Sequence, residues 1–370
     1  MKGQLWSQNE RSNFLMDAKL NGAFEETDQI HTMILMRKGC LFVFITGVCA
    51  LLYMNCDMNS IHLIQSYISR ISPVKEKATS NVSTPATESR IMFVETTDNM
   101  EPTPLGVCAV ESAAHQNPDK QIYYFMKGFN GNLSQYPQTE YRGIHLLISV
   151  KNVVILPLNA TELFEGTPLK SWYLKVNPKK EKYWIHVLAD ACRLALLWKY
   201  GGTYLDTDII SLRPLPIANF TCPESRMTFS NGALGFPNLN HPFVWNCMEE
   251  FVANYIGDIW GQQGPRLITC MLKRWCNNKD PGDLIGKECN GISFWITNRF
   301  YPIPYPDWMR YYDPWKKEDI EETFSDTYGA HVWNYMNSEK KKTIIAGSGS
   351  LIEYFSKLYC PNAFNNLIQS

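Results

Sequence analysis

Net charge is the first thing this sequence lacks: 35 Lys and Arg stand against 36 Asp and Glu, leaving a formal −1. A balance that even supplies no bulk field to draw the chain onto nucleic acid or an anionic surface, so no nucleic-acid partner is expected. None of the eight cysteines beyond residue 100 falls in a CxxC pattern, which removes the usual zinc-ribbon spacing. No internal repeat is visible, and no apolar run opens the chain as a cleaved signal peptide would. What is present is 370 residues with 45% hydrophobic content, enough to bury a sizeable core as one large domain or two smaller ones. Aromatics are abundant, with 11 Trp and 19 Tyr, a composition shared by sugar-handling proteins and by well-filled cores.

The first informative stretch is GCLFVFITGVCALLYM, uncharged from Gly39 to Met54, with Arg37 and Lys38 on its N-terminal side. Because 38 residues precede it, the run reads as a signal anchor rather than a cleaved leader. It is shorter than the roughly 20 residues of a standard span, which suits thinner early-secretory membranes. A buried core helix is the competing reading, but no amphipathic period breaks the run. The basic pair stays cytoplasmic by charge bias, which predicts a tail at 1–36, an anchor at 37–56, a stem at 57–89 and a luminal domain at 90–370. The stem reading rests on KATSNVSTPATESR (77–90), rich in Ser, Thr and Ala.

Luminal placement has independent support. Asn81, Asn132, Asn159 and Asn219 each head an Asn-x-Ser/Thr sequon. The eight distal cysteines, Cys108, Cys192, Cys222, Cys247, Cys270, Cys276, Cys289 and Cys360, are even in number, as an oxidising compartment favours. Cys276 and Cys289 enclose a polar loop and are the expected bonded pair.

From IMFVET (91–96) onward, short apolar strands alternate with helical stretches: 108–117, 121–126, 140–149 and 152–158. That alternation builds an α/β fold around a mainly parallel sheet covered on both faces. The next helix, 183–202, repeats Trp184, Val187, Leu188, Ala191, Leu194, Ala195 and Trp198 at three- and four-residue spacing, with Gly201 as its stop. Asp190 and Arg193 sit three apart on the flank of that face; read blandly, they are a surface ion pair of about 0.2–0.5 kcal/mol.

Then comes KYGGTYLDTDII (199–210), with Asp206 and Asp208 where a buried strand emerges. Residues two apart on a strand project to the same side, so the carboxylates converge and offer oxygen ligands to a hard divalent cation. A calcium loop would need more oxygen donors and a glycine, where Ile210 and Ser211 stand instead. An open site remains, with a metal shared with ligand phosphates at the C-terminal edge of the sheet.

DACRLALLWKYGGTYLDTD (190–208) resembles the signature of the alpha-1,4-glycosyltransferase family. FVETTD near 93, CAVESAA at 108, SNGALGF at 230, IWGQQGPRLIT at 259, YPIPYPDW at 301 and AHVWN at 330 are similar to that family as well, from about 91 to 363. The resemblance implies a GT-A type, Rossmann-like domain behind a Golgi type II anchor, using a UDP-sugar with Mn2+ or Mg2+. It implies transfer of a hexose, galactose first, in alpha-1,4 linkage to a glycosphingolipid such as lactosylceramide, with retention of configuration. It puts the metal on Asp206 and Asp208, and the donor beside Asp190, Arg193, Tyr204 and Asp206. His331 is the further metal ligand implied, with a hydrogen-bonded core histidine as its bland alternative. Gln263 and Asn231, with Gln262, fall in motif segments suited to hydroxyl recognition or to a positive anomeric centre; as plain sequence they are turn signals. Trp260, Tyr301, Tyr305, Trp308 and Trp333 offer flat faces for acceptor sugars, or fill a core.

Galactose, N-acetylglucosamine and N-acetylgalactosamine donors are not told apart by these residues, nor is a glycolipid acceptor from a mucin-type glycan. The layout also admits a homo-oligomer. An inactive metal-dependent sugar-binding protein is the second class of reading. A structural or receptor ectodomain is the third, and it has no use for DxD paired with an upstream DxxR.

Overall fold

RIMFVE at Arg90–Glu95 forms β1, with Ile91 and Phe93 buried on one face and Met92 and Val94 on the other. A run without polar alternation is what a strand covered on both faces requires. The structure, a computed structural model, describes residues 89–369; the tail, the candidate anchor, the stem up to residue 88 and the Asn81 sequon lie outside the described residues. Among the described residues no helix is long and apolar enough to cross a membrane.

Thr103 accepts the Gly106 N–H and Pro104 opens the first turn of α1 (Pro104–Gln116), which returns the chain to β2 (Gln121–Met126), parallel to β1 along its whole length. α2 (Arg142–Ser149) and β3 (Val153–Pro157) repeat the crossover. α3 (Trp184–Tyr200) contains the expected apolar face, but every residue from Asp190 to Leu197 is buried, so burial encircles its second half. Asp190 and Arg193 are therefore inside the protein rather than on an outer flank. Gly201 ends the helix at φ 64, where a Cβ would come within 2.3 Å of the Pro237 carbonyl oxygen, so glycine is required. β4 (Gly202–Leu205) then pairs parallel to β1, with Thr203 opposite Ile91.

β5 (Ile209–Ser211) leaves the main sheet, and β6 (Phe220–Ser225), β7 (Thr228–Phe236), α4 (Pro242–Ala253), α5 (Leu267–Trp275), β8 (Glu288–Cys289) and β9 (Ile292–Phe294) follow. β10 (Gly329–His331) pairs antiparallel with β5, and α6 (Leu351–Tyr359) is the last long helix. The sheet order is β3-β2-β1-β4-β7-β6-β9-β8. The expected parallel arrangement holds for β3-β2-β1-β4, whereas β7 is antiparallel to both β4 and β6, and β8 to β9, which makes the sheet mixed. The cause is local: only Arg226 and Met227 join β6 to β7, too short a link for a crossover. Apolar side chains pack on both faces. α1, α2 and the C-terminal segment cover one, and α3, α4 and α5 the other.

Cys276 and Cys289 are bonded, as the polar loop between them predicts. A second bond, Cys108–Cys360, was not signalled by spacing and joins α1 to the end of α6 across 252 residues. One turn along α1, the buried Glu111 carboxylate accepts the N–H groups of Asn362 and Ala363, both at 2.8 Å. The remaining described cysteines are free thiols: Cys192, Cys222 and Cys247 buried, Cys270 half-buried.

Candidate active site

β4 stops at Leu205, and Asp206 to Asp208 form a turn before β5. The Asp206 N–H still bonds the Gly232 carbonyl at 2.8 Å, and the Asp206 carbonyl accepts the Ile209 N–H at 3.1 Å. The carboxylates thus converge through a turn held between β7 and β5, not through strand pleating as the sequence alone suggested. Gly232 leaves the space: a Cβ there would lie 2.7 Å from Asp206 Oδ2.

β10 brings His331 alongside. Its Nε2 is 3.3 Å from Asp208 Oδ1, while the Trp333 N–H meets Nδ1 at 3.3 Å. Trp333 adopts φ 58, an unusual left-handed backbone for a bulky residue. That bend swings the next residue back, so the Asn334 N–H donates to Asp208 Oδ2 at 2.8 Å. One ligand atom from each of Asp206, Asp208 and His331 lies within 4.8 Å of the other two. Two carboxylate oxygens and an imidazole nitrogen suit a divalent cation of the magnesium or manganese kind, and the set leaves ligand positions open. The electrostatics agree. Burial, and after it the charge of Asp208, hold the Asp206 carboxyl above its ordinary range despite the Arg193 guanidinium beside it.

Arg193 is the hub behind this pair. Its Nη1 donates to the Asn231 carbonyl at 2.7 Å and lies 3.2 Å from Asp206 Oδ1, and its Nη2 lies 3.3 Å from Asp190 Oδ1. The guanidinium carbon stands 4.7 Å over the Tyr204 ring, whose hydroxyl donates to Asp206 at 2.7 Å. Burial alone would lower the Arg193 pKa; Asp206, Tyr204 and Asp190 together push it up. Burial lifts Asp190 to about 6, with the Asp206 charge adding to the rise and Arg193 and Asn231 opposing it.

Asn231 belongs to the same group, its Nδ2 donating to Asp190 Oδ1 at 2.7 Å. Gln263 does not. Its Nε2 donates to the Phe251 carbonyl at 2.9 Å and its Oε1 accepts the Ile256 N–H at 3.2 Å, so both ends of the amide are committed to backbone. The residue that enters the site from that segment is Gly264, where a Cβ would lie 2.8 Å from Asn231 Nδ2 and 2.9 Å from Asp190 Oδ2. We expect Gly264→Ala to separate Asn231 from Asp190 and cut transfer about a hundredfold, as small misplacements in a reacting site do, with thermal unfolding little changed. Unaltered kinetics would show that this contact has slack.

The aromatic residues divide. Tyr301 and Trp308 are buried and belong to the core, the second of the two readings their sequence allowed. Tyr301 instead backs His331, ring centroids 5.2 Å apart, and Trp333 is anchored by its indole N–H to the Ile303 carbonyl at 2.7 Å. Trp260 and Tyr305 are exposed. Sequence reasoning took Gly232 and Gly264 only as turn signals and passed over Asn334, since nothing local marks a backbone N–H such as that of Asn334.

Residues 105–228 match the family described as a glycosyltransferase sugar-binding region containing the DXD motif, and residues 237–367 match the alpha 1,4-glycosyltransferase conserved region. Human alpha-1,4-N-acetylglucosaminyltransferase is 43% identical over 279 residues, covering 75% of this chain and 81% of that protein. Human lactosylceramide 4-alpha-galactosyltransferase is 39% identical over 276 residues, covering 74% and 76%. Among solved structures, the PaToxG glycosyltransferase aligns with a TM-score of 0.40 at 17% identity, over 50% of this chain and 69% of that one. With its DXD turn, its second conserved region and relatives at this level of identity, the chain belongs to the alpha-1,4-glycosyltransferase family, enzymes that draw on UDP-sugars.

Proposed function

We propose that this protein is a type II Golgi membrane enzyme that transfers a hexose, galactose in the first reading, from a UDP-sugar in alpha-1,4 linkage to a glycosphingolipid such as lactosylceramide. The observation that carries the reading is the convergence of Asp206, Asp208 and His331 within 4.8 Å, beside the buried Asp190–Arg193 pair. In this reading those three side chains hold Mn2+ or Mg2+, which when bound neutralises charge on the diphosphate of the departing UDP. Tyr204 and Arg193 fix the orientation of Asp206. Asp190 and Asn231 present an acceptor oxygen and an amide to the hydroxyls of the donor sugar. The GT-A arrangement, the Golgi anchor and the luminal orientation belong to the same proposal, supported by Arg37/Lys38 and the sequons.

Retention follows a same-face course. The bond from the anomeric carbon to the UDP oxygen breaks as the acceptor oxygen bonds on the same side, and the acceptor proton passes to the leaving phosphate. No carboxylate is assigned as a nucleophile on the opposite face, which a double displacement would need.

A second reading takes N-acetylglucosamine as the donor sugar, favoured by the 43% identical relative, which carries that sugar in its name, and pairs it with a mucin-type acceptor. Few pocket contacts separate such donors. The test is a panel: the full chain with Mn2+, UDP-galactose, UDP-N-acetylglucosamine or UDP-N-acetylgalactosamine, and lactosylceramide or a mucin-type glycan. An alpha-1,4-galactosylated lipid is the expected product. A protein that binds UDP-sugar yet transfers nothing to either acceptor would be a sugar-binding protein without turnover.

A further inference from the structure

One carboxylate close to the site has no task in the mechanism above. β6 ends in Pro223, Glu224 and Ser225, and its ladder with β7 is broken twice on the way there. From Thr221 to Pro223, β6 advances two residues while β7 advances five, from Leu234 to Phe229. The stretch of β7 that leaves the register carries Asn231 and Gly232, whose carbonyls are bonded to Arg193 and to the Asp206 N–H. From Pro223 to Ser225, β6 again advances two residues while β7 advances only one, so Glu224 is the extra residue of a bulge. Such bulges re-aim a side chain and are frequent beside reacting sites.

Glu224 is half-buried, and the cations nearest to it in the chain are committed elsewhere: Arg226 to Asp280 at 3.0 Å and Arg299 to Asp326 at 3.4 Å. Burial lifts its carboxyl to about 7, with Ser230 opposing the rise. Ser230 also stands beside the Tyr301 hydroxyl, which is buried and has no hydrogen-bond partner of normal geometry among the described residues. The notch over Gly232 separates that hydroxyl from the metal cluster: a Cβ there would lie 3.3 Å from Tyr301 Oη and 2.7 Å from Asp206 Oδ2. A file of polar groups therefore runs from Glu224 past Ser230 and Tyr301 to Asp206. The topology says which substrate meets its outer end. Nucleotides bind outside the carboxyl ends of parallel strands, here β1 and β4, and Asp206 follows the last residue of β4. β6 lies on the other side of β7, two strand spacings or roughly 10 Å from β4. A carboxylate there faces what approaches the donor sugar from the side away from the nucleotide, and that is the acceptor. A solvated strand-end glutamate would need neither the bulge nor the burial.

We propose that Glu224 is a specificity-determining residue for the acceptor, its carboxylate taking a hydrogen bond from the 3- or 6-hydroxyl that flanks the attacking 4-hydroxyl of the acceptor's terminal sugar. The assignment rests on the alpha-1,4-transferase reading of the site and adds to it the group that reads the acceptor. The test is a cycle with the full chain, Mn2+ and UDP-galactose or UDP-N-acetylglucosamine. Parent, Glu224→Ala and Glu224→Gln are each given a soluble lactoside and its analogues lacking the 3- or the 6-hydroxyl of the terminal galactose. The parent should lose about tenfold in kcat/KM on one analogue, the size of one charge-assisted hydrogen bond. Glu224→Ala should lose about tenfold on the intact lactoside, through a raised acceptor KM, and nothing further on that analogue. Its KM for the UDP-sugar and its melting temperature should match the parent's. Glu224→Gln, whose amide oxygen accepts without the charge, should fall between the two. The same further loss on each analogue in parent and Glu224→Ala, or parent-like kinetics in Glu224→Ala, overturns the proposal. So does a loss confined to the KM for the UDP-sugar, or a Glu224→Gln protein that does not fold, which would make the carboxylate a structural group. A parent that transfers from neither donor to the lactoside removes the reading of the site as a lactosyl transferase, and this assignment with it.

Discussion

Asp208→Asn abolishes transfer, to below about 1% of the parent rate, while the protein folds and unfolds normally. The carboxylate has two fixed partners, His331 at Oδ1 and the Asn334 N–H at Oδ2, and it shares a ligand cluster with Asp206. An amide oxygen can still accept one of those hydrogen bonds, so the loop around it has reason to stay in place. What the amide cannot supply is the negative charge that a hard-cation site needs. Every 1.36 kcal/mol lost from the transition state slows the reaction roughly tenfold, so losing even about 3 kcal/mol of metal assistance passes that threshold. Transfer assays with and without chelator, beside a melting curve, decide it. Parent-like activity in chelator would remove the metal from the mechanism, and a collapse in melting temperature would make Asp208 a structural residue.

Arg193→Ala does more than weaken donor use: it should destabilise the fold by about 3–5 kcal/mol and remove activity with it. Seen only as a residue three positions from Asp190, Arg193 looks like half of a surface ion pair whose loss costs a few tenths of a kcal/mol. In the structure it is the only cation within salt-bridge distance of the carboxylates of Asp190 and Asp206 among the described residues, and it holds the Asn231 carbonyl besides. Truncation leaves two carboxylates and a carbonyl inside the protein without their partner. Arg193→Lys should rescue little, because an ammonium on a flexible stem cannot reach three acceptors in the fixed geometry of the guanidinium. Denaturant unfolding of both variants measures this directly. A midpoint within a few tenths of a kcal/mol of the parent would restore the surface-pair reading.

These two cases mark where sequence is legible here. The period of α3, the Gly201 stop and the apolar run of β1 are local, so each could be read from a few neighbouring residues. Asp206 and Asp208 marked a candidate cation site for the same reason, although the turn that brings them together depends on Gly232 of β7, distant in the chain. The antiparallel β7 followed from a two-residue link that a strand-by-strand reading did not weigh. The burial of Arg193 and of Tyr301 was invisible, because helical spacing tells which residues share a face but not how many layers lie outside it. The commitment of Gln263 was equally hidden, since its partners are backbone groups at 251 and 256 rather than side chains with a signature.

The bond between Cys108 and Cys360 sets an order on biosynthesis. At ribosomal speeds of about 5–20 residues per second, the 252 residues between them take roughly 10–50 seconds to appear. Throughout that interval Cys108 waits as a thiol while Cys192, Cys222 and Cys247 emerge, each destined to be buried without a partner. Correct pairing therefore depends on α3, β6 and α4 packing those three away before an oxidant reaches them, or on a disulfide isomerase undoing early mistakes. Yield of active protein should accordingly respond to the redox poise of the expressing compartment more than to the temperature at which the finished protein melts.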